Sequence, residues 1–185
     1  MNKREARREA LKRRRGLTAG YRERASGLIA ERLLSEEVWK RASVIFLYYG
    51  YGDEVQTGKL MEAGLSEGKR IFLPRVVSDK DMVFIEISSF EELKAGAYGI
   101  PEPVYDEKKI CREVPELVAV PCVACDRRGG RAGHGKGYYD RSLCAYKGVP
   151  FVCLAYGCQL LDSIETDGND IGMDIIITEK EVIRT

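Results

Sequence analysis

The chain has 185 residues, enough for one domain with a substantial core. Its 44% hydrophobic and 32% charged residues are ordinary for a soluble globular protein, and a net charge of +1 supplies no global field for nucleic acid. No apolar run approaches the roughly 20 residues of a membrane span, and no apolar core follows the charged start as in a secretory signal. These features predict a cytoplasmic, single-domain protein over residues 1–185, a monomer with neither nucleic acid nor membrane as partner.

In chain order, residues 2–15 suit a helix whose apolar stripe (Ala6, Ala10, Leu11) is narrow. It carries Lys3, Arg4, Arg7, Arg8, Lys12, Arg13, Arg14 and Arg15, which alone reads as a solvated face. A second helix is predicted from Thr18, whose hydroxyl can cap it, to about residue 34, with Tyr21, Ala25, Leu28, Ile29 and Leu33 on one face. Residues 43–49 form a continuous apolar run that fits a strand buried on both faces of a parallel sheet. A helix over 57–67 follows, closed by Gly68, then a strand over 70–73 stopped by Pro74.

Residues 82–87 read as another strand. Ser88 and Ser89, with Glu91 and Glu92 three residues on, offer capping boxes for a short helix to Lys94. Residues 96–103 are a glycine- and proline-punctuated loop. Strands are predicted at 117–120, 150–155 and 173–178, and a helix at 138–146. This alternation predicts an α/β fold: a single-domain layered sandwich with a mainly parallel sheet and helices on both faces.

Between the strand at 117–120 and the helix at 138–146, five glycines fall within nine residues: Gly129, Gly130, Gly133, Gly135 and Gly137. Arg131, His134 and Lys136 are interleaved with them. Glycine buries no side chain, so such a run serves a loop whose backbone N–H groups wrap an anion, with cations beside it. Gly130-x-x-x-x-Gly135-Lys136 matches a Walker A pattern except that Gly137 replaces the magnesium-ligating Ser or Thr. Gly133-x-Gly135-x-Gly137 also lacks the spacing of the dinucleotide fingerprint. A phosphate-handling loop of another design remains.

Six cysteines are present, and Cys122, Cys125, Cys153 and Cys158 can be combined on paper into a four-thiolate zinc site. Cys153 lies in an apolar strand-like run and Cys122 follows a proline. Free, reduced, buried or half-buried thiols are therefore the favoured reading.

The block Val120-Pro121…Asp126-x-x-Gly129-x-Arg131-x-Gly133-x-Gly135-Lys136-Gly137-Tyr138-Tyr139-Asp140-Arg141 resembles the signature of the 5-formyltetrahydrofolate cyclo-ligases, also called 5,10-methenyltetrahydrofolate synthetases. Collinear matches support it: Lys3-Arg4-x-x-Arg7, Asp53-Glu54-Val55-x-Thr57, Leu73-Pro74-Arg75, Gly99-Ile100-Pro101-Glu102-Pro103 and Asp170…Asp174. Departures lie where the family usually has Gly (here Cys122), Phe (Cys125), Leu (Ala132) and Arg (His134). The last replaces a permanent cation with a titratable one.

The resemblance implies a ligase that closes 5-formyltetrahydrofolate to 5,10-methenyltetrahydrofolate with ATP and Mg²⁺ through a phosphorylated formyl intermediate. It implies ATP contacts from Lys3, Arg4, Arg7, Arg131, Gly133, His134, Gly135, Lys136, Gly137, Tyr138 and Tyr139, with Arg131 and Lys136 as catalytic cations. Folate contacts are implied for Tyr49, Glu54, His134, Gly135, Lys136, Gly137 and Tyr138, and Mg²⁺ ligation for Asp140 and Asp170. On residue chemistry alone, Asp140 equally suits the first turn of a helix, Asp170 a turn, Glu54 a solvated acid and His134 a surface position. A small-metabolite kinase and a non-catalytic nucleotide- or folate-binding regulator are the alternative functions.

Overall fold

The computed structural model describes residues 1–96 and 99–185. Its helices are α1 (Lys3–Arg15), α2 (Ala19–Ser35), α3 (Glu37–Arg41), α4 (Gly58–Ser66) and α5 (Tyr138–Leu143). Its strands are β1 (Val44–Phe46), β2 (Arg70–Val76), β3 (Met82–Ile87), β4 (Leu93–Ala95), β5 (Pro101–Pro103), β6 (Leu117–Pro121), β7 (Ala124–Asp126), β8 (Arg131–Ala132), β9 (Phe151–Leu154), β10 (Leu160–Leu161), β11 (Ile175–Ile177) and β12 (Val182–Arg184). Among the described residues no helix is long and apolar enough to cross a membrane.

The main sheet has the order β12-β11-β9-β6-β1-β2-β3. Pairing is parallel from β11 to β2, and β3 and β12 close the two edges antiparallel. Alternation along the central strands sends successive residues to opposite faces. Ile45, Leu117, Ala119, Val152 and Ile177 pack with Ile29 and Leu33 of α2, Trp39 of α3 and Met61 of α4. Phe46, Val118, Val120, Cys153 and Ile176 pack on the other face with Leu143 of α5. Helices therefore cover both faces of a mostly parallel sheet, as the continuous apolar runs imply.

A second sheet, β10-β7-β8, stands beside the first and receives α1. The stripe of α1 is narrow because its own buried residues are small: Ala6 and Ala10 pack on Val123, Ala124, Ala132, Leu161 and Ile164. Asn2 and Glu5 close a capping box at its start, and the Thr18 hydroxyl accepts from Tyr21 N–H at the start of α2.

Several local expectations are corrected. The strand at 43–49 keeps ladder pairing only over Val44–Phe46. Pro74 does not stop β2, which continues to Val76 with Pro74 opposite Phe84 of β3. The β1 ladder reaches only Phe72, so the missing proline N–H falls where β2 has a neighbour on one side alone. The helix expected up to Lys94 is a single 3₁₀ turn (Phe90–Glu92) followed by β4, and the loop over 96–103 contains β5, which pairs with β4. The remainder of that loop includes Ala97 and Tyr98, which lie outside the described residues. The expected helix over 138–146 ends at Leu143, and α3 was not anticipated.

Candidate active site

A cleft of about 1130 Å³ opens outside the carboxyl ends of β1, β2 and β6, where open parallel sheets present their ligand crevice. Strand β8 delivers Arg131 to it, and residues 133–137 run along its rim into α5. Gly135 and Gly137 have φ of +94° and +70°, a region that favours glycine. The loop hangs from a tight turn: the buried Asp126 carboxylate accepts from Arg128 N–H (2.9 Å), Gly130 N–H (3.0 Å) and Ile164 N–H (2.7 Å). The segment after Gly130 forms β8 rather than wrapping directly into a helix. It therefore differs in geometry from a P-loop.

Helix α1 supplies the cationic wall. Arg7 Nε donates to Gly133 O at 2.6 Å, and Lys3 Nζ lies 2.5 Å from Asp170 and 3.2 Å from Asp167. Burial alone would push the Lys3 ammonium down, but hydrogen bonds to Asp170 and Asp167 outweigh it and hold the lysine above its ordinary pKa. Arg131 is buried: its Nη2 donates to Asp140 Oδ1 at 2.8 Å and its Nη1 to Pro121 O at 3.3 Å. Ile171 N–H also donates to Asp140 Oδ1, at 3.3 Å, which brings the 167–171 segment against α5.

Glu54 and the tyrosines form the opposite wall. His134 Nε2 lies 3.1 Å from Glu54 Oε1 and so bridges the walls. The Glu54 segment is anchored from below: Tyr156 O–H donates to Glu54 O at 3.0 Å, and Arg14, almost fully buried, meets Asp53 at 2.8 Å. Burial, reinforced by the Glu54 charge, pushes the Tyr48 and Tyr139 phenols well up, so both stay neutral as donors.

The cleft thus gathers Lys3, Arg7, Tyr49, Glu54, Arg131, Gly133, His134, Gly135, Lys136, Gly137, Tyr138, Tyr139, Asp140 and Asp170 on its walls. Arg4 is exposed on α1 and lies outside the lining. Sequence reasoning did not single out Tyr48, Tyr51 and Asp167, which also line the cleft, nor Arg14 and Tyr156 beneath it. Asp167 was visible only as part of a turn, and Tyr156 carried no local signal. For Mg²⁺ the donor set fits: Asp140 and Asp170 offer hard carboxylate oxygens in one cleft, and the Lys3 ammonium already stands on Asp170 as a stand-in cation.

Fold and cleft define an α/β protein whose cleft, lined by Lys3, Arg7, Arg131 and Lys136, opens at the carboxyl ends of a parallel sheet. The family model described as the 5-formyltetrahydrofolate cyclo-ligase family matches residues 1–179, and the chain belongs to that family. A probable 5-formyltetrahydrofolate cyclo-ligase from Schizosaccharomyces pombe is 30% identical over 172 residues, covering 84% of each chain. The 5-formyltetrahydrofolate cyclo-ligase of Haemophilus influenzae is 28% identical over 176 residues, covering 91% of this chain and 94% of its own. Among solved structures, the 5,10-methenyltetrahydrofolate synthetase of Aquifex aeolicus superposes with a TM-score of 0.85 at 34% identity, covering 98% of this chain and 92% of its own.

Proposed function

We propose that this protein closes 5-formyltetrahydrofolate to 5,10-methenyltetrahydrofolate at the expense of ATP, releasing ADP and phosphate. The observation that carries the reading is one cleft with a cationic wall from α1 and the glycine loop facing a Glu54–tyrosine wall.

In this reading Lys3, Arg7, Arg131 and Lys136 bind the triphosphate oxygens together with N–H groups of residues 133–137. Glu54 accepts from pterin N–H groups, and its bond to His134 fixes its direction. The formyl oxygen attacks the γ-phosphorus and ADP leaves. N10 then attacks the formyl carbon, the N10 proton is lost, and the phosphorylated oxygen departs as phosphate. Phosphoryl transfer leaves little covalent work to the protein, so positioning and charge neutralisation carry the rate. Asp140 and Asp170 would hold Mg²⁺, which when bound supplies further neutralisation of phosphoryl charge.

The test is to incubate the folded protein with 5-formyltetrahydrofolate, Mg²⁺ and ATP and follow the near-ultraviolet absorbance of the methenyl product. Absence of that signal at saturating substrates would overturn the reading. ADP formation without it would favour a kinase, and ligand binding without either a non-catalytic regulator.

Two variants separate the walls. Lys136→Ala is expected to lower kcat by about 100-fold through lost transition-state charge stabilisation. Glu54→Ala is expected to raise KM for the folate about 10-fold or more while KM for ATP changes little. Steady-state kinetics in each substrate checks both, and parental constants for either variant would remove that residue from its role.

A further inference from the structure

Behind the glycine loop, Cys122, Cys125 and Cys153 bring their Sγ atoms within 4.8 Å of one another. They are 5%, 0% and 0% exposed. Each comes from a different part of the frame: Cys122 from the link between β6 and β7, Cys125 from β7 and Cys153 from β9. Cys158, which sequence spacing had grouped with them, is only half-buried and packs on the opposite side of the main sheet.

Isolated core thiols pack as small apolar groups. Here three converge, two of them at positions where the chain departs from its family's loop signature. All three belong to, or directly follow, strands that the two sheets hold in place, so the convergence is fixed by the frame. Gln159 Nε2 stands 4.0 Å from Cys122 Sγ and donates to Cys122 O and Val123 O, which fixes the link that carries the first thiol.

The separations suit an ion. A disulfide draws two sulfurs to about 2.05 Å and leaves the third unused. A metal about 2.3 Å from each sulfur separates the ligands by roughly 4 Å, within the spread observed here. We propose that Cys122, Cys125 and Cys153 form a site for one thiophilic d¹⁰ cation, of the zinc or copper(I) class, bound through three thiolates. The cation replaces the S–H protons of the three thiols, which pass to solvent, and no electron is transferred. With a divalent ion the three thiolates leave one negative charge, which lies in the field of the Arg131 guanidinium.

The consequence is mechanical. The ion ties the main sheet, through β9 and the end of β6, to β7 of the small sheet. Strand β7 pairs with β8, which carries Arg131 into the cleft. Such a staple stiffens the wall against which a ligand binds, without touching that ligand. It stands on the thiol geometry alone and does not depend on the folate reaction.

The test uses the full chain, unfolded under reducing, oxygen-free conditions and refolded with Zn²⁺, Cu⁺ or Cd²⁺ in separate arms. The expected result is one ion per chain by native mass spectrometry, with a sulfur-to-cadmium charge-transfer band in the Cd²⁺ arm. The Zn²⁺ and Cu⁺ arms distinguish the two sources. Cys125→Ser and Cys153→Ser should each weaken Cd²⁺ binding at least ~100-fold, since loss of even an outer-shell partner costs up to that. Cys158→Ser and Cys111→Ser should bind as the parent does. If a core variant does not fold, the stoichiometry and band of the parent chain decide. The proposal is overturned if the folded parent retains no ion in any arm, if Cys125→Ser and Cys153→Ser bind like the parent, or if the band follows Cys158.

Discussion

Arg131→Ala is expected to lower kcat for methenyl formation by about 10²–10³-fold, the effect of deleting one preorganised transition-state donor. Arg131 is not a surface cation that a neighbour can replace. It is buried, held by Asp140 at 2.8 Å and by Pro121 O at 3.3 Å, and aimed into the cleft from a strand. Its Nε is also buried and makes no hydrogen bond among the described residues. A guanidinium so fixed needs little reorganisation when charge moves onto a transferring phosphoryl group. Stability should fall as well, because alanine leaves the Asp140 carboxylate without its main counter-charge. With 26% of the Asp140 side chain exposed, the loss should be about 2–3 kcal/mol, at or below the low end for a broken buried pair. Arg131→Lys separates the effects: it should regain part of the stability and little of the rate, because an ammonium cannot span Asp140, Pro121 O and a phosphate together. Turnover of Arg131→Ala at the parental rate, measured by product absorbance, would remove Arg131 from the catalytic machinery.

The central strands were legible because both of their faces are covered. Runs such as Leu117–Val120 are apolar at every position, and a buried parallel strand is the element that demands this. Helix α2 was legible for the opposite reason, since it buries one stripe only. What escaped the sequence is decided by partners far along the chain. Whether Pro74 ends a strand depends on how far β1 extends beside it, a fact held some 25 residues earlier. The ribbon of β4 and β5 is hidden because proline and glycine signal turns, yet an isolated two-stranded pair needs few ladder bonds.

The candidate site divides in the same way. Residues 126–141 announce themselves by composition, because glycines interleaved with cations serve no core. Lys3, Arg7 and Glu54 were reached through resemblance, and the fold brings all three to the loop. Tyr156 and Arg14 had no signal of either kind: a tyrosine at the end of an apolar run and one arginine among eight basic residues are unremarkable until Glu54 O and Asp53 lie beside them. For the cysteines, spacing allowed a four-thiolate set while their surroundings favoured free thiols; the fold leaves all six free, keeps three together and sends Cys158 across the sheet.

Asp126→Ala is expected to be the most destabilising single change in the loop frame. Its carboxylate is 1% exposed and accepts from three backbone N–H groups, on Arg128, Gly130 and Ile164. The first two bonds shape the turn that starts the glycine loop, and the third ties that turn to a segment 38 residues away. Alanine removes every acceptor at once, and an unsatisfied buried donor costs about 1–3 kcal/mol. Some water will enter, so the net loss should be about 3–5 kcal/mol, or roughly a 10 °C fall in Tm for a chain of this length. Asp126→Asn retains one acceptor oxygen but turns an NH₂ group toward a donor, so it should lose about half as much. Activity should follow geometry more than charge, because Asp126 is not part of the cleft lining. Both variants should therefore lose turnover in proportion to how far the loop relaxes, with KM for ATP rising before KM for the folate. Calorimetry and steady-state kinetics on the two variants check this together. A Tm for Asp126→Ala within 2–3 °C of the parent, a shift of only about 1 kcal/mol, would mean that the glycine loop holds its shape without this carboxylate.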